Sequence, residues 1–493
     1  MKSKLAAAAL LLLPALLPVP GFARGGAAAS PQTLDDAVAG LVAASGLRPS
    51  TVSVAVVDPR DGTLLAGHRA AESMLPASCL KVATTAAAMV ALGPDFPLCT
   101  RLLAVPPGRG GDPTTVPGDL WLMGYGDPGF SEHGPEGGTL AALDAFVGQV
   151  LGKGVRTVGG DLVFDASYFA GPRVHPSWTD AGASARWYAA EVDALTVNDA
   201  CLDVAAEPGG GPGDPARLSI LPETGIVTLV NRVETTGSRA DHDIGFRLAA
   251  EGNTLEVFGK VGARTSGTRS PAAIHDPALL CAEQVGRALA RAGIRVAGFV
   301  RRPREGERPP EGASLLAEHR TPLSLACAVA NTRSQNLWAE TVLRVLGAEK
   351  GGEGSFAGGT RAVREVLSAA GPEVGVGLRP VDGSGLSREN RASAVALAKV
   401  LGFVWRSRAQ EAFFGGLARP GEGTLERRFR EKRFDGRVVA KTGTLRSVSG
   451  LCGLATGADG RPFCFAVLGE HVDTGKARLL QEGVVGALVG GGR

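Results

Sequence analysis

The chain has 493 residues, 44% of them hydrophobic and 20% charged, which is ordinary globular composition and enough for about three domains. A net charge of only +3 argues against nucleic-acid binding and against strong adhesion to a membrane surface. The 70 glycines and 31 prolines imply many turns and a good share of β structure, and the 7 cysteines contain no CxxC pair that would suggest zinc or thioredoxin-type chemistry.

The first residues read as an export address. Lys2 and Lys4 form a basic start, residues 5–19 an apolar stretch broken by Pro14 and Pro18, and Gly21-Phe22-Ala23 a small-x-small cleavage site. The stretch is too short and proline-broken for a stable membrane span, and no cysteine precedes Cys79 to carry a lipid. A signal peptide at 1–23 and a periplasmic or secreted protein, cleaved near Ala23, are expected. The odd cysteine count leaves at least one free thiol. Cys452 and Cys464 flank the turn at Asp459-Gly460 and are the best disulfide candidates, with unpaired thiols packed as small hydrophobes as the alternative.

After a small, polar lead-in, helical spacing over 34–44 precedes a β-rich run at 51–57. The turn Asp58-Pro59-Arg60-Asp61-Gly62 then leads to a second strand at 63–67, making a hairpin. An Ala-rich helix follows, with Ser78 at its start and Gly93-Pro94 at its end. From about Thr100 to Leu316 the character changes. Strand-like runs at 118–123, 160–164, 195–204, 226–233 and 254–261 alternate with Gly/Pro loops, one helix is expected at 277–292 and a last strand near 295–300. This reads as a mostly-β insertion, 100–316, of one or two subdomains, in a body made of 30–99 and 317–493. In the second part of the body, 321–346 reads as one helix and 348–358 as a glycine-rich loop. Helices at 360–370 and 392–406 flank the loop 382–388. Three consecutive antiparallel strands are expected at 437–443, 447–455 and 462–468, then a terminal helix at 474–488.

Ser78 and Lys81 stand one helical turn apart on the same face, so hydroxyl and amine can meet. A serine is a poor nucleophile until a base takes its proton, and a lysine of lowered pKa can do so. The helix start also offers backbone N–H groups where an oxyanion would form. By itself Ser-x-x-Lys is more readily an exposed pair on an ordinary helix. Two further motifs weigh against that: Ser334-Gln335-Asn336, mid-way through a helical stretch, and Lys441-Thr442-Gly443-Thr444, ending a strand. Lys441 is out of place as a structural residue after Val-Val-Ala. Gly124-Tyr125-Gly126-Asp127-Pro128-Gly129 fits G-x-G-x-x-G, but no helix follows to seat a pyrophosphate. The histidines show no ligand spacing, so neither cofactor nor metal is expected.

In this order the three motifs resemble the signature of the serine enzymes that acylate on D-alanyl peptides and penicillins. The chain resembles the low-molecular-mass penicillin-binding proteins, the serine D-alanyl-D-alanine carboxypeptidase/endopeptidase family with a large insertion. Asp165-Ala166-Ser167-Tyr168-Phe169 and Asp382-Gly383-Ser384-Gly385-Leu386-Ser387-Arg388 add to the likeness. The resemblance implies an α/β (α+β) fold, a β-lactamase/transpeptidase-like antiparallel sheet flanked by helices. It implies peptidoglycan stem peptides as substrates and β-lactams as covalent inhibitors. Ser78 would be the acylated nucleophile and Lys81 its base. Ser334 would relay a proton to the leaving amine while Asn336 holds Lys81 and the substrate. Lys441, Thr442, Gly443 and Thr444 would form the strand that binds the terminal carboxylate. Arg388 and Asp165 would reach the cleft, the alternatives being a surface arginine and a turn aspartate. Gln335, where Asp is usual, and Cys79 after the nucleophile depart from the pattern. A β-lactamase or esterase on the same fold is the nearest rival, though the long insertion weighs against it. A non-catalytic penicillin-binding scaffold or sensor is the other, against which all three motifs are intact.

Overall fold

The computed structural model of the protein describes residues 33–178 and 185–490; the expected export signal lies outside them. The body is organised on a five-stranded antiparallel sheet, in the order Val438–Leu445, Val448–Thr456, Pro462–Glu470, Val52–Val57, Leu64–His68. The N-terminal hairpin is thus completed by the last three strands of the chain. The central strands are apolar almost throughout because both faces are covered. Val52, Val54 and Val56 join Phe463, Phe465 and Val467 in a core under the helices Leu34–Ala44 and Thr474–Gly490. Ala55 and Val57 join Cys464, Ala466 and Leu468 in a second core, which also holds the helices Leu80–Leu92 and Ala394–Trp405. The two-residue period of a strand turns one apolar run into two cores.

The Ala-rich helix Leu80–Leu92 is central to the second core. It packs against the helices Leu323–Thr332, Asn336–Lys350, Phe356–Leu367 and Ala394–Trp405, and every residue from Leu80 to Met89 is buried. Alanines let so many helices approach at once. Gly93, at φ 89°, ends the helix.

The chain leaves the body on the strand Pro97–Ala104 and returns on Ser314–Pro322. The two pair antiparallel, with Pro97 opposite Pro322. They form one side of another five-stranded sheet, followed by Leu120–Gly124, Leu162–Asp165 and Val300–Arg301. Leu120–Gly124 and Leu162–Asp165 run parallel, which requires a crossover, and the helix Thr139–Gly152 supplies it. The sequence reading gives this region one helix; the structure adds this second one beside Pro277–Arg291. Its buried face of Leu143, Phe146, Val147 and Val150 is masked in the sequence by Gly148, Gly152 and an exposed Leu140. Three small three-stranded sheets complete the region.

Three other expectations are corrected. The stretch 321–346 is two helices, broken at residues 333–335, where Ser334 takes φ 62°. The strand expected over 195–204 begins only at Cys201, because Asn198, Asp199 and Ala200 all have positive φ. Cys452 and Cys464 are not bridged: Cys452 lies opposite Ala466 and Cys464 opposite Leu454, a two-residue offset, and all seven cysteines are free and buried.

Candidate active site

Ser78 sits in a tight turn, Ala77–Cys79, that feeds directly into the central helix. The turn is strained at Ala77, whose φ is 46° in the left-handed region. It is clamped from two sides. A Cβ at Gly385 would sit 1.9 Å from the Ala77 carbonyl oxygen, and one at Gly443 would sit 2.7 Å from that of Pro76. Only glycine at each position lets the 382–388 loop and the Lys-Thr-Gly strand press against the nucleophile turn.

Lys81 lies one turn on and is fully buried. Its Nζ is 3.1 Å from Ser78 Oγ and donates to Asn336 Oδ1 at 2.7 Å and to the Ser384 carbonyl at 2.8 Å. Burial, helped by the charge of Lys441 and opposed by Glu340 and Asp382, drives its pKa well below the usual lysine range. A neutral amine has two N–H bonds and one lone pair. In that form the two oxygens can take the two hydrogens and the lone pair can face the Ser78 hydroxyl.

Lys441 is the second buried lysine. Its Nζ donates to Ser334 Oγ at 2.9 Å and to the Thr442 carbonyl at 2.7 Å, and burial lowers its pKa to about 8. The break between the two helices aims Ser334 at this amine. Asn336 opens the following helix and donates from Nδ2 to the Tyr188 carbonyl at 2.7 Å.

The 382–388 loop is held by two buried carboxylates. Glu340 accepts from the N–H groups of Gly383 (2.8 Å) and Ser384 (2.7 Å). Asp382 accepts from Gly385 and Asn390 through one oxygen, and from Ser387 and the Trp178 indole through the other. Burial and the neighbouring Asp382 push Glu340 up to about 8. These oxygens position the loop whose Ser384 carbonyl receives Lys81.

A cavity of about 410 Å³ opens over Ser78, lined also by Ser334, Asn336, Thr444 and Arg388. Arg388 is exposed at its rim and donates to the Arg446 carbonyl at 3.3 Å. Thr442 and Gly443 do not line it: Thr442 lines an adjoining cavity, which Thr444 also lines, and Gly443 provides the close approach described above. Asp165 is placed elsewhere. It is buried at the end of its strand, accepts from the Ser167 N–H at 2.8 Å, and lines a separate cavity with Arg173, Asp193 and Arg344. It is the turn aspartate of the two readings.

The sequence reading misses four further residues of the wall: Ser177, Trp178, Trp187 and Tyr188. No motif marks them, although a cluster of three aromatics within eleven residues in a chain only 5% aromatic is a usable signal. The two departures are also explained. Gln335 donates to Asp199 Oδ2 at 3.2 Å and Trp338 to Asp199 Oδ1 at 2.8 Å, so a carboxylate is already present and an aspartate at 335 would oppose it. Cys79 is buried against Gly443 and Gly450, and its thiol donates to the Lys441 carbonyl at 3.6 Å.

The sequence is 32% identical over 432 residues to a D-alanyl-D-alanine carboxypeptidase from Actinomadura sp. (strain R39), covering 84% of this chain and 77% of the relative. The fold matches the crystal structure of penicillin binding protein 4 from Haemophilus influenzae with a TM-score of 0.75 at 23% identity, covering 91% of this chain and 97% of that one. The same protein complexed with a novel β-lactam gives 0.69 at 22% identity, over the same shares of the two chains. The sequence pattern of the D-Ala-D-Ala carboxypeptidase 3 (S13) family matches residues 34–488. With its three motifs converging on one cleft, the chain belongs to the D-Ala-D-Ala carboxypeptidase 3 (S13) family.

Proposed function

We propose that the protein is a serine D-Ala-D-Ala carboxypeptidase and/or D,D-endopeptidase, exported to the periplasm or beyond, that acts on peptidoglycan stem peptides and is acylated by penicillins. The observation that carries this reading is Lys81: a fully buried amine 3.1 Å from Ser78 Oγ, fixed there by hydrogen bonds to Asn336 and the Ser384 carbonyl, with its pKa driven down by burial. Ser78 attacks the carbonyl of the penultimate D-alanine as Lys81 takes its proton. The N–H groups of Ser78 and Thr444 receive the oxyanion. As the tetrahedral intermediate collapses, Ser334 relays a proton to the leaving amine and the acyl-ester remains on Ser78. Lys441 and Thr444 hold the carboxylate of the departing residue, an ammonium and a hydroxyl being suited to it. Water then hydrolyses the ester.

Export is supported by the basic and apolar start of the chain, and no helix among the described residues is long and apolar enough to cross a membrane. The division into a catalytic body of 30–99 and 317–493 with an insertion at 100–316 is supported by the pairing of the strands on which the chain departs and returns. The insertion supplies walls and no reacting group. Against the β-lactamase reading stands the commitment of Glu340 and Asp382 to loop N–H groups, which leaves neither poised to activate a deacylating water. Intact-mass spectrometry after mixing with penicillin, with D-alanine release followed in parallel, tests both. The expectation is an adduct on wild type that persists for minutes, none on Ser78→Ala, and multiple turnover of a D-Ala-D-Ala peptide. Rapid return to the unmodified mass with steady penicillin turnover, and no D-alanine, would make the protein a β-lactamase.

A further inference from the structure

The break that carries Ser334 and Asn336 has an anchor far away in sequence, the turn Asn198-Asp199-Ala200. All three of its residues are left-handed, with φ 49°, 53° and 58°. Such a run persists only where its surroundings fix it. Asn198 accepts from Thr139 Oγ1 and donates from Nδ2 to the Cys201 carbonyl, both at 3.0 Å. Its backbone N–H donates to the Phe130 carbonyl at 2.8 Å. Asp199, at the middle of the turn, is 18% exposed and divides its two oxygens between donors at the start of the helix Asn336–Lys350. The fully buried Trp338 indole donates to Oδ1 at 2.8 Å, and Gln335 Nε2 donates to Oδ2 at 3.2 Å. His133 Nε2 stands 3.7 Å from the same Oδ2. Gln335 is the N-cap of that helix, and its side chain goes to Asp199 instead of to the helix's own N–H groups. A negative charge beside a first helical turn also suits the helix dipole.

Gln335 stands between the two polar residues of the motif, and they depend on it unequally. Asn336 has anchors of its own, Lys81 Nζ and the Tyr188 carbonyl, each at 2.7 Å. Ser334 is drawn to Lys441 at 2.9 Å and holds φ 62°, a conformation that serine rarely adopts. Lys441 pulls on the turn from one side, and Asp199 holds the next residue from the other. We infer that Asp199 is a positioning residue, whose carboxylate fixes Gln335 and Trp338 and so keeps the Ser334 hydroxyl where the leaving amine takes its proton. The inference rests on the role proposed above for Ser334. Across acylation Ser78 loses one proton, to Lys81, and the leaving amine gains one, through Ser334, as the Ser78–acyl bond forms and the C–N bond breaks. A displaced Ser334 therefore penalises a leaving group in proportion to its need for that proton.

The test varies the leaving group. A D-Ala-D-Ala peptide is compared with its thioester analogue, in which sulfur replaces the leaving nitrogen. Thiols ionise near pH 8.5, at about 8.5 as a reference value, so the sulfur departs as a thiolate without a proton. The full mature enzyme is assayed as wild type, Asp199→Asn, Gln335→Glu and the double variant, with rates expressed per penicillin-titratable Ser78 so that unfolded chains do not count. Asparagine tolerates the left-handed region, so the turn itself is spared, but its amide opposes the Gln335 donor; glutamate at 335 sets two carboxylates together. Each single variant should lower kcat/KM on the peptide about five-fold, the worth of one buried hydrogen bond, and on the thioester by less than about two-fold. In the double variant the amide at 199 accepts from Trp338 and donates to the new carboxylate, so the peptide rate should return to within about two-fold of wild type. Equal falls on both substrates would tie Asp199 to substrate binding or to Lys81 and overturn the inference. No fall on either, or no recovery in the double variant, would overturn it too, while wild-type release of D-alanine would leave the proposed function standing. Wild type that leaves the peptide intact would overturn the proposed function itself, and the inference with it.

Discussion

Two buried basic side chains in this molecule are built in opposite ways. Lys81, under the cleft, is hydrogen-bonded to uncharged groups, an amide oxygen, a carbonyl and the Ser78 hydroxyl, and its burial works against charge. His319, on the strand Ser314–Pro322, is 4% exposed, yet its ring lies 2.5 Å from Asp127 and 3.0 Å from Glu136. Burial disfavours its charge too, but the hydrogen bonds and charges of the two carboxylates outweigh it and raise its pKa to about 9. The same desolvation thus drives one pKa down, toward a base, and is outweighed in the other, which is held as a cation at neutral pH, decided by what lies within hydrogen-bonding distance. Burial of an ionisable group says little about role until its partners are counted.

The comparison can be broken first at Lys81. Lys81→Met, which keeps length and removes the amine, should slow penicillin acylation by about 10²–10⁴-fold, the usual worth of a positioned base, while leaving the melting temperature unchanged or higher. Stopped-flow acylation with parallel thermal melts checks both, and a large loss of stability would mean that the amine is a structural cation after all. His319→Ala should do the reverse. Stranding Asp127 beside Glu136 should cost about 3–5 kcal/mol in chemical denaturation, as for other broken buried pairs, with acylation of the folded fraction preserved. The sign with pH follows from a folded pKa raised from 6.5 to about 9. The contribution of His319 is complete below about pH 6.5 and lost as pH rises through 9, so wild type should lose stability over that interval and the variant should not.

Lys441 sharpens the contrast, being buried yet lowered only to about 8. Lys441→Ala should reduce kcat/KM about ten- to a hundred-fold on peptides with a free terminal carboxylate, and less on neutral esters, since the lost contact is ionic. In wild type the preference for the free carboxylate should decline as pH rises through about 8, where the amine loses its proton. Equal losses on an amidated peptide would refute the role. The smallest effect is expected at Gln335→Asp, which trades an amide donor for a second carboxylate beside Asp199 and should cost about 1 kcal/mol in denaturation.

What the sequence makes legible is what is written locally. Ser78 and Lys81 are separated by one helical turn, and the strands of the last hairpins are bounded by plain turns, so both can be found without tertiary information. Ser334 and Asn336 can be found as a motif but not as a break, because the flanking apolar residues keep helical spacing across it; the left-handed Ser334 is imposed by the tertiary contact with Lys441. Trp178 and Tyr188 reach the site through an indole on Asp382 and a carbonyl on Asn336, contacts that no periodicity encodes. Two-residue strands such as Thr115–Val116 and Thr157–Val158 carry too little pattern to be read at all, and the single strand expected near 295–300 is two, Arg295–Val296 and Val300–Arg301, in different sheets. Asp165 shows the limit of a likeness, since the segment matches but its carboxylate caps a turn facing another cavity.

The paired strands Pro97–Ala104 and Ser314–Pro322 also bear on how the chain reaches this state. Lys81 and Asn336 are 2.7 Å apart but separated by 255 residues, so assembling the cleft directly from an unfolded chain means closing a very long loop. If the intervening segment folds first, its ends emerge side by side and the effective loop shrinks to a few tens of residues or fewer. The closure entropy then falls by roughly 2 kcal/mol, and the slow search for distant contacts shortens with it. During synthesis this order is also the natural one, because the intervening segment is complete before the last three strands of the body sheet exist. The region that walls the cleft would then be the clamp that brings its two halves together.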